Sequence, residues 1–457
     1  MHLHILGISG TFMSALALLA RDSGYTVTGS DANCYPPISD LLTAKGITWT
    51  EGYEDASLAL KADVVIVGNA IKRGMPVLEA IIEAGKSYTS GPQWFAENIL
   101  SKYQVIAVAG THGKTTTTSM VAWILDQAGL NPGFLIGGVS SDFKTSARLG
   151  NGKWFVIEAD EYDSAFFDKR PKFMHYRPRI AILNNLEFDH ADIYPDLAAI
   201  QLQFHYLLRT IPAKGVAIKP RDDKALNEVL ARGSFSGVEE LALDGDAEWS
   251  AKLIEENGSS FKVLRRGEEV AQVNWSLIGR FNVENALAAL AASANAGVDP
   301  KVAAEALGRF TPVKRRLEVR SNKYGITVYD DFAHHPTAIT RTIDAVKRSN
   351  RHHRIFAVLE FASYTMRTGV HAAEMAQALA PVHGAYVLEP HDFDLTATLG
   401  NWTCPYHVCK NTEEIVKKIT ANVQEGDAIL VMSNRGFNGI HQQLIHSIDA
   451  RYSSIHC

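Results

Sequence analysis

The chain has 457 residues, of which 46% are hydrophobic and 21% are charged, a composition typical of folded globular proteins. This length predicts about two to four domains, each with its own core. The net charge of −5 and the absence of Lys/Arg runs argue against binding to nucleic acid. Four scattered cysteines and an N-terminus without a basic leader predict a cytoplasmic protein that does not contact membranes.

Residues 1–100 alternate between strand and helix patterns, which predicts a βαβ half-sheet of the nucleotide-binding type. The predicted strands are His2–Leu6, Thr26–Thr28 and Asp63–Val67. The loop Gly7–Thr11 does not satisfy the dinucleotide fingerprint, because Ser9 and Phe12 stand at its second and third glycine positions. A nucleotide diphosphate such as UDP therefore fits better than a nicotinamide cofactor, and Asp31 could bind a ribose hydroxyl.

The next segment predicts a phosphate-binding loop. An apolar strand, Val105–Ala109, runs into the glycine- and threonine-rich stretch Gly110–Thr118, and a helix follows. Lys114 would supply a full positive charge and Thr115 a hydroxyl for Mg²⁺. The full P-loop pattern is not met, since Val108 replaces its first glycine, but the strand–loop–helix order predicts ATP or GTP binding. The residues predicted to bind the phosphates are Gly110, Thr111, His112, Gly113, Lys114, Thr115 and Thr116.

Two more predicted strands end in polar residues, Trp154–Ile157 before Glu158–Asp163 and Ile180–Leu183 before Asn184–His190. In a parallel sheet both ends would lie beside the phosphate loop. Glu158 and His190 are therefore candidate cation ligands, with a solvated acidic turn as the alternative. Residues 246–278 predict hairpins around Gly258 and Gly267 that form a small antiparallel appendage.

Five further residues are candidates for ATP contacts. Asn282 and Asn285 share a helix face and could bind an adenine edge, or could cap the helix. Arg316 could contact phosphate, although a solvated loop is an alternative. Asp331 and His334 follow the predicted strand Ile326–Tyr329 and suit ribose and phosphate contacts, or a plain surface turn. The other strands predicted in residues 313–457 are Ile355–Leu359, Gly384–Leu388 and Ala428–Met432.

Together these motifs resemble the Mur ligase family, whose members form amide bonds with ATP during peptidoglycan assembly. The resemblance covers essentially the whole chain and implies an α/β fold of three domains. Residues 1–100 would form a Rossmann-like UDP-N-acetylmuramate-binding domain, 101–312 a P-loop ATP-binding domain, and 313–457 a Rossmann-like domain for the amine substrate. The segments that carry it are Gly110–Thr118, Glu158–Asp163, Asn184–His190, Gly279–Asn285, Arg316–Glu318 and Asp331–Pro336.

Gly7–Met13 resembles the branch of the family that binds UDP-N-acetylmuramate itself. Gly29–Pro37, Ser90–Trp94 and Asp160–Arg170 resemble its members that add the recycled tripeptide L-alanyl-γ-D-glutamyl-meso-diaminopimelate, whereas the alternative members add L-alanine. The UDP-sugar-binding residues that this resemblance implies are Gly7, Ser9, Gly10, Thr11, Met13, Asp31 and Asn69.

The implied reaction transfers the γ-phosphate of ATP to the lactyl carboxylate, and the tripeptide's amine then attacks the acyl phosphate. Lys114, Glu158 and His190 would be catalytic, and Thr115, Glu158 and His190 would bind Mg²⁺. The enzyme would act as a monomer or homodimer. A nicotinamide dehydrogenase leaves the phosphate loop unexplained, and a P-loop regulatory switch leaves two further domains unexplained.

The chain departs from the family pattern at three positions. Phe281 replaces a histidine that commonly precedes the adenine-binding asparagine. His205 stands where several members carry a carbamylated lysine that binds a second Mg²⁺. Ala362 replaces an arginine that faces the amine substrate, and Arg367 is the predicted substitute for that contact.

Overall fold

The computed structural model describes residues 1–35, 38–362, 364–367, 369–390 and 393–453. Within these residues, helices flank three large sheets built mainly from parallel strands, which confirms the α/β fold class. Among the described residues no helix combines the length and the apolar character that crossing a bilayer requires. Cys34, Cys404 and Cys409 are free thiols, and Cys457 lies outside the described residues.

The first sheet is parallel and has the strand order β3-β2-β1-β4-β5 within the described residues. Its strands β1 to β5 are His2–Leu6, Thr26–Asp31, Thr48–Glu51, Val64–Val67 and Tyr88–Ser90. Helices α1 to α5 are Thr11–Asp22, Ile38–Ala44, Ser57–Lys61, Pro76–Glu83 and Gly91–Asn98. Strands β2 and β3 are added on one side of β1, and β4 and β5 on the other side. A crevice therefore opens beyond the carboxyl ends of β1 and β4, where Gly7 and Gly68 follow.

The second sheet has the order β17-β16-β15-β14-β13-β12-β6-β9-β7-β8, within a segment that the structure describes completely. Strands β6 to β11 are Gln104–Ala109, Gly133–Leu135, Ala147–Arg148, Trp154–Glu158, Asp163–Ala165 and Asp168–Pro171. Strands β12 to β17 are Ile180–Leu183, Val216–Pro220, Gly237–Leu243, Trp249–Leu253, Ser260–Arg265 and Glu268–Asn274. Helices α6 to α10 are Lys114–Gln127, Leu197–Thr210, Lys224–Ala231, Arg280–Asn295 and Pro300–Gly308, and short 3₁₀ helices span Leu100–Lys102 and Lys172–His175.

The hairpins predicted around Gly258 and Gly267 are present as β15–β16 and β16–β17. They lie at one edge of the central sheet. Strand β15 pairs in parallel with β14, so these antiparallel strands continue the edge of the central sheet. A separate hairpin, β10–β11, projects from the loop after β9.

The third sheet has the order β18-β19-β23-β20-β21-β22 within the described residues, and only its β18–β19 pair is antiparallel. Strands β18 to β23 are Glu318–Lys323, Ile326–Asp331, Arg354–Glu360, Gly384–Leu388, Tyr406–Cys409 and Asp427–Met432. Helices α11 to α16 are Pro336–Arg348, Tyr364–Arg367, Ala372–Leu379, Thr396–Leu399, Thr412–Asn422 and Ile440–Ser453, with a 3₁₀ turn at Phe437–Gly439.

Strand register places the polar strand ends of the central sheet together. Val108 of β6 pairs with Glu158 of β9, and Ala109 pairs with Leu183 of β12. The loops that follow these three strands therefore begin side by side. One hydrophobic core joins the first two sheets, since the ring of Phe155 packs edge-on against Phe95, with centroids 5.5 Å apart.

Candidate active site

One cleft of about 510 Å³ is lined by residues from all three parts of the chain that carry a large sheet. The start of α1 (Gly10–Met13) and Asn69 form its N-terminal wall. The loop before α6 and the segments after β9 and β12 form its central wall. Residues 331–335, which follow β19, form the third wall.

The phosphate loop has the conformation that its glycines permit. Gly110 and Gly113 have φ angles of +131° and +80°, which other residues rarely adopt. A Cβ atom at Gly113 would also lie 2.5 Å from the side-chain oxygen Oδ1 of Asn285, so the loop packs directly on α9. Thr117 of α6 donates to that same oxygen over 3.2 Å. The glycine backbone angles and the contacts with Asn285 of α9 thus fix the conformation of this loop beside the cleft.

Lys114 lies at the centre of a buried charge cluster. Its ammonium donates to both oxygens of Glu161, at 2.9 and 3.0 Å, and to the Gly110 carbonyl at 2.7 Å. Asp160 is 3.7 Å away. Burial alone would lower the pKa of Lys114, but Glu161 and Asp160 outweigh burial and hold that pKa above its ordinary value. Lys114 is therefore a fixed cation at the phosphate loop.

Glu158 and Thr115 form the neighbouring contact. The Thr115 hydroxyl donates to Glu158 over 3.0 Å, and the backbone N–H of Gly137 donates to the other carboxylate oxygen over 2.8 Å. Arg316 reaches across from the third wall and donates to the Thr115 hydroxyl over 3.0 Å. Burial, aided by Asp160, raises the pKa of Glu158, although the charges of Lys114 and Arg316 oppose this shift.

His190 contacts a different carboxylate. Its Nε2 lies 2.9 Å from Glu161, the residue that also binds Lys114, and its backbone N–H donates to Asp189 over 2.7 Å. Burial opposes protonation of this ring, yet the hydrogen bond to Glu161 raises its pKa. The structure therefore brings Thr115 and Glu158 into direct contact, whereas His190 joins the Lys114–Glu161 pair. The assignment of these three residues as metal ligands stays a prediction.

Glu187 connects the phosphate loop to the third wall. One of its carboxylate oxygens lies 3.3 Å from His112 Nε2, 3.5 Å from His335 Nδ1 and 2.7 Å from the Thr337 hydroxyl, which donates to it. Candidate ligand atoms of His112, Glu187 and His335 all lie within 4.8 Å of one another. These contacts, which we call the Glu187 latch (His112, Glu187, His335 and Thr337), join the central segment to the start of α11.

The remaining predicted ATP contacts differ in their placement. Asn285 lines the cleft. The Asn282 amide donates to the Ile278 carbonyl over 2.8 Å, and the N-cap residue of α9 is Gly279 without a side-chain cap, so Asn282 does not cap this helix. Phe281 also lines the cleft. Their contact with adenine stays a prediction.

Asp331 and His334 both line the cleft. Asp331 is buried and accepts hydrogen bonds from the backbone N–H groups of Leu317 (2.6 Å) and Ala333 (2.8 Å), so its carboxylate shapes the loop that carries Arg316. His334 Nδ1 bonds to the Phe332 carbonyl, and burial lowers the pKa of this imidazole, which favours its neutral form.

In the N-terminal wall, Gly10, Thr11, Met13 and Asn69 line the cleft. Asp31 instead accepts hydrogen bonds from the backbone N–H groups of Ser9 (2.8 Å) and Asn33 (3.1 Å) and so fixes the loop after β1. Gly7 begins that loop with a φ of +78°. Pro36 and Pro37 of the motif at 29–37 lie outside the described residues.

Sequence reasoning missed four functional candidates: Glu161, Lys172, Glu187 and His335. Glu161, Glu187 and His335 stand in polar loops that follow the carboxyl ends of β9, β12 and β19, and this placement is the signal that could have marked them. Lys172 begins the 3₁₀ helix after β11, where no such signal exists. The predicted substitute Arg367 donates to the Phe361 carbonyl over 3.0 Å. Ser363 and Thr368 beside it lie outside the described residues, and the contact of Arg367 with an amine substrate stays a prediction.

A phosphate loop, a buried carboxylate at its threonine and a second α/β domain that contacts it define a nucleotide-dependent multidomain enzyme. Three family models match the chain: "Mur ligase family, catalytic domain" matches residues 2–103, "Mur ligase middle domain" residues 108–293, and "Mur ligase, glutamate ligase domain" residues 315–435. The chain belongs to the Mur ligase family, whose members are ATP-dependent ligases.

Two relatives match nearly the whole chain. It is 48% identical over 98% of its length to the UDP-N-acetylmuramate–L-alanyl-γ-D-glutamyl-meso-2,6-diaminoheptandioate ligase of Haemophilus influenzae, covering 99% of that protein. The Escherichia coli ligase of the same name is 49% identical, with 98% of each chain covered. The UDP-N-acetylmuramate–L-alanine ligase of Desulfosudis oleivorans is 37% identical over 80% of this chain and 78% of its own. A crystal structure of a murein peptide ligase from Psychrobacter arcticus is similar, with 47% identity, 98% coverage of both chains and a TM-score of 0.76.

Proposed function

We propose that this enzyme joins UDP-N-acetylmuramate to the tripeptide L-alanyl-γ-D-glutamyl-meso-diaminopimelate, consuming ATP and releasing ADP and phosphate, in peptidoglycan recycling in the cytoplasm. The observation that carries the proposal is identity of 48% and 49% across nearly the full chain to two ligases named for this reaction. The L-alanine-adding relative from D. oleivorans is 37% identical over a shorter stretch.

The cleft supports the chemistry of such a ligase. ATP would bind at the loop 110–116, with its γ-phosphate beside Lys114, a cation already fixed by Glu161. The UDP-sugar would bind at the N-terminal wall, so its lactyl carboxylate reaches the γ-phosphate across the cleft. Phosphoryl transfer needs mainly positioning and charge neutralisation, and both are supplied by fixed, buried groups.

The donor set at Thr115 and Glu158 fits Mg²⁺. A hydroxyl and a carboxylate 3.0 Å apart are oxygen ligands of the kind that hard divalent cations prefer. When bound, Mg²⁺ would neutralise phosphate charge. We include His190 as a further ligand, and Lys114 would hold the transferring phosphoryl group against the lactyl carboxylate.

The third domain would present the tripeptide's α-amine to the acyl phosphate. Arg316 and the Glu187 latch connect this domain to the phosphate loop and to the segment after β12. Closure of the third domain over the cleft would keep water away from the acyl phosphate. The tripeptide carries several carboxylates, so its site needs cationic groups over a longer reach than L-alanine does.

The test is ADP release with ATP and UDP-N-acetylmuramate, comparing the tripeptide with L-alanine at equal concentration. We expect kcat/KM to be at least about 100-fold higher for the tripeptide, equivalent to about 2.7 kcal/mol of differential transition-state binding. Equal rates, or a preference for L-alanine, would make this enzyme the L-alanine-adding ligase instead. Hydrolysis of ATP that ignores both UDP-sugar and amine would contradict the ligase assignment altogether.

A further inference from the structure

Lys172 is a cation inside the cleft to which the reaction above assigns no role. It begins the 3₁₀ helix after the β10–β11 hairpin, and only 12% of its side chain is exposed. Its ammonium lies over the ring of Phe12, 5.6 Å from the centroid, and over the ring of Tyr162, at 5.8 Å. Phe12 belongs to the N-terminal wall and Tyr162 to the central wall. Lys172 therefore lies at the seam between the UDP-sugar side and the ATP side of the cleft.

The same ammonium is linked to the phosphate loop through Asp160. Lys172 donates to one Asp160 oxygen over 3.2 Å, and the other oxygen lies 3.7 Å from the ammonium of Lys114. One carboxylate thus stands between two cations, and both cations line the cleft.

Lys172 has unused donor capacity. An ammonium carries three N–H donors, and among the described residues Asp160 is the one hydrogen-bond acceptor within reach of it. Aromatic faces stabilise a cation without consuming its N–H groups. An anion entering the cleft would therefore find two free donors on a group that is already desolvated and held in place.

We propose that Lys172 binds the lactyl carboxylate of UDP-N-acetylmuramate and holds it beside Lys114 for attack on the γ-phosphate. This inference rests on the proposed function. The carboxylate is the anion that must approach Lys114, and Lys172 is joined to Lys114 through Asp160. The diphosphate of the UDP-sugar has other partners, because the N–H groups at the start of α1, near Gly10 and Thr11, line the N-terminal wall.

The hairpin offers a matched control. Lys169 of β11 is 70% exposed and forms an ion pair with Asp163 at 2.6 Å, outside the residues that line the cleft. Lys169→Met removes one positive charge three residues from Lys172 without touching the cleft. Lys172→Met keeps the length and packing of the stem and removes only the ammonium. Lys172→Arg restores the charge.

The experiment compares binding of two ligands, UDP-N-acetylmuramate and UDP-N-acetylglucosamine, by calorimetry without ATP. The second ligand keeps the diphosphate but lacks the lactyl carboxylate. In Lys172→Met we expect affinity for UDP-N-acetylmuramate to fall by about tenfold or more, as loss of a charge-assisted hydrogen bond does, and affinity for UDP-N-acetylglucosamine to change less than about twofold. Lys169→Met should match the wild type, and Lys172→Arg should recover most of the loss.

Three outcomes would overturn the proposal. Equal weakening of both ligands would assign Lys172 to the diphosphate, and unchanged binding of both would reduce it to a partner of Asp160. If Lys172→Met binds neither ligand and no longer shows a cooperative thermal transition, Lys172 has a structural role. Lys172→Arg would confirm this role if it restored folding but not the stronger binding of UDP-N-acetylmuramate over UDP-N-acetylglucosamine. Failure of the wild type itself to bind UDP-N-acetylmuramate would instead refute the proposed function.

Discussion

Replacing Lys114 by Met tests the centre of the site. The ammonium lies 2.9 Å from Glu161 and is 11% exposed, so it acts in a medium far less polarisable than water. At about 4 Å and an effective dielectric constant of about 20, two unit charges interact by about 4 kcal/mol. Loss of one preorganised contact to developing charge typically costs about 2.7–4 kcal/mol, so kcat should fall by about 100-fold or more.

The assay is ADP release at saturating ATP, UDP-N-acetylmuramate and tripeptide, with calorimetric binding of the UDP-sugar measured in parallel. Binding of the UDP-sugar should persist in Lys114→Met because the N-terminal wall is unchanged. Lys153→Met is the control, since Lys153 is an exposed lysine on the loop before β9. Its turnover should equal that of the wild type.

Lys114→Met also leaves Glu161 without its cation, and this defect alone could slow turnover. The double variant Lys114→Met/Glu161→Gln separates the two causes, since it removes the stranded charge. If the cation acts on phosphate, the double variant stays as slow as the single one. Recovery of turnover in the double variant, or near-normal turnover in Lys114→Met, would refute the assignment of Lys114 to the transferring phosphate.

Two further outcomes are expected. Glu158→Gln should shift the midpoint of a Mg²⁺ titration of activity to higher concentration while the KM for ATP changes less, because an amide is a poorer ligand for a hard cation; an unchanged midpoint would return Glu158 to a structural role. Burial, aided by His2, lowers the pKa of His4 to about 4. Between about pH 6.5 and pH 4, His4 is therefore protonated in the unfolded chain but mostly neutral in the folded chain. Stability conferred by neutral His4 is complete above pH 6.5 and falls by about 2 kcal/mol by pH 5. The thermal midpoint should therefore drop less between pH 7 and pH 5 in His4→Gln, and an equal drop would contradict the lowered pKa.

The sequence predicted best where one local pattern determines the structure. The strands Ile180–Leu183 and Gly384–Leu388 have the predicted bounds, because short apolar runs bounded by polar residues specify buried parallel strands. Asp63–Val67 begins one residue later, and Thr26–Thr28 continues to Asp31, since strand ends depend on pairing with neighbours.

The contacts between distant segments could not be predicted in the same way. Glu187 and Thr337 are 150 positions apart, and no local pattern shows that they share a hydrogen bond. Glu161 stands in the acidic segment 158–163, and its sequence neighbours do not distinguish it from the other carboxylates there. Its role as the partner of both Lys114 and His190 emerges only when β9 and β12 pair with β6.

The Glu187 latch and the Arg316–Thr115 contact have a consequence for redesigning the amine specificity of this enzyme. Exchange of the third domain with that of a relative is an obvious route to a ligase for a different peptide. Here, however, His335, Thr337 and Arg316 belong to the exchanged part, while their partners Glu187 and Thr115 stay behind. A chimera that loses these contacts would leave Glu187 and Thr115 without their partners, so it would alter the nucleotide site as well as the amine pocket. Grafts that keep residues 315–342 native, with strands β18 and β19, and replace only later segments of the third domain should preserve ATP turnover. A change in the recognised peptide would then support the assignment of the amine site to this domain.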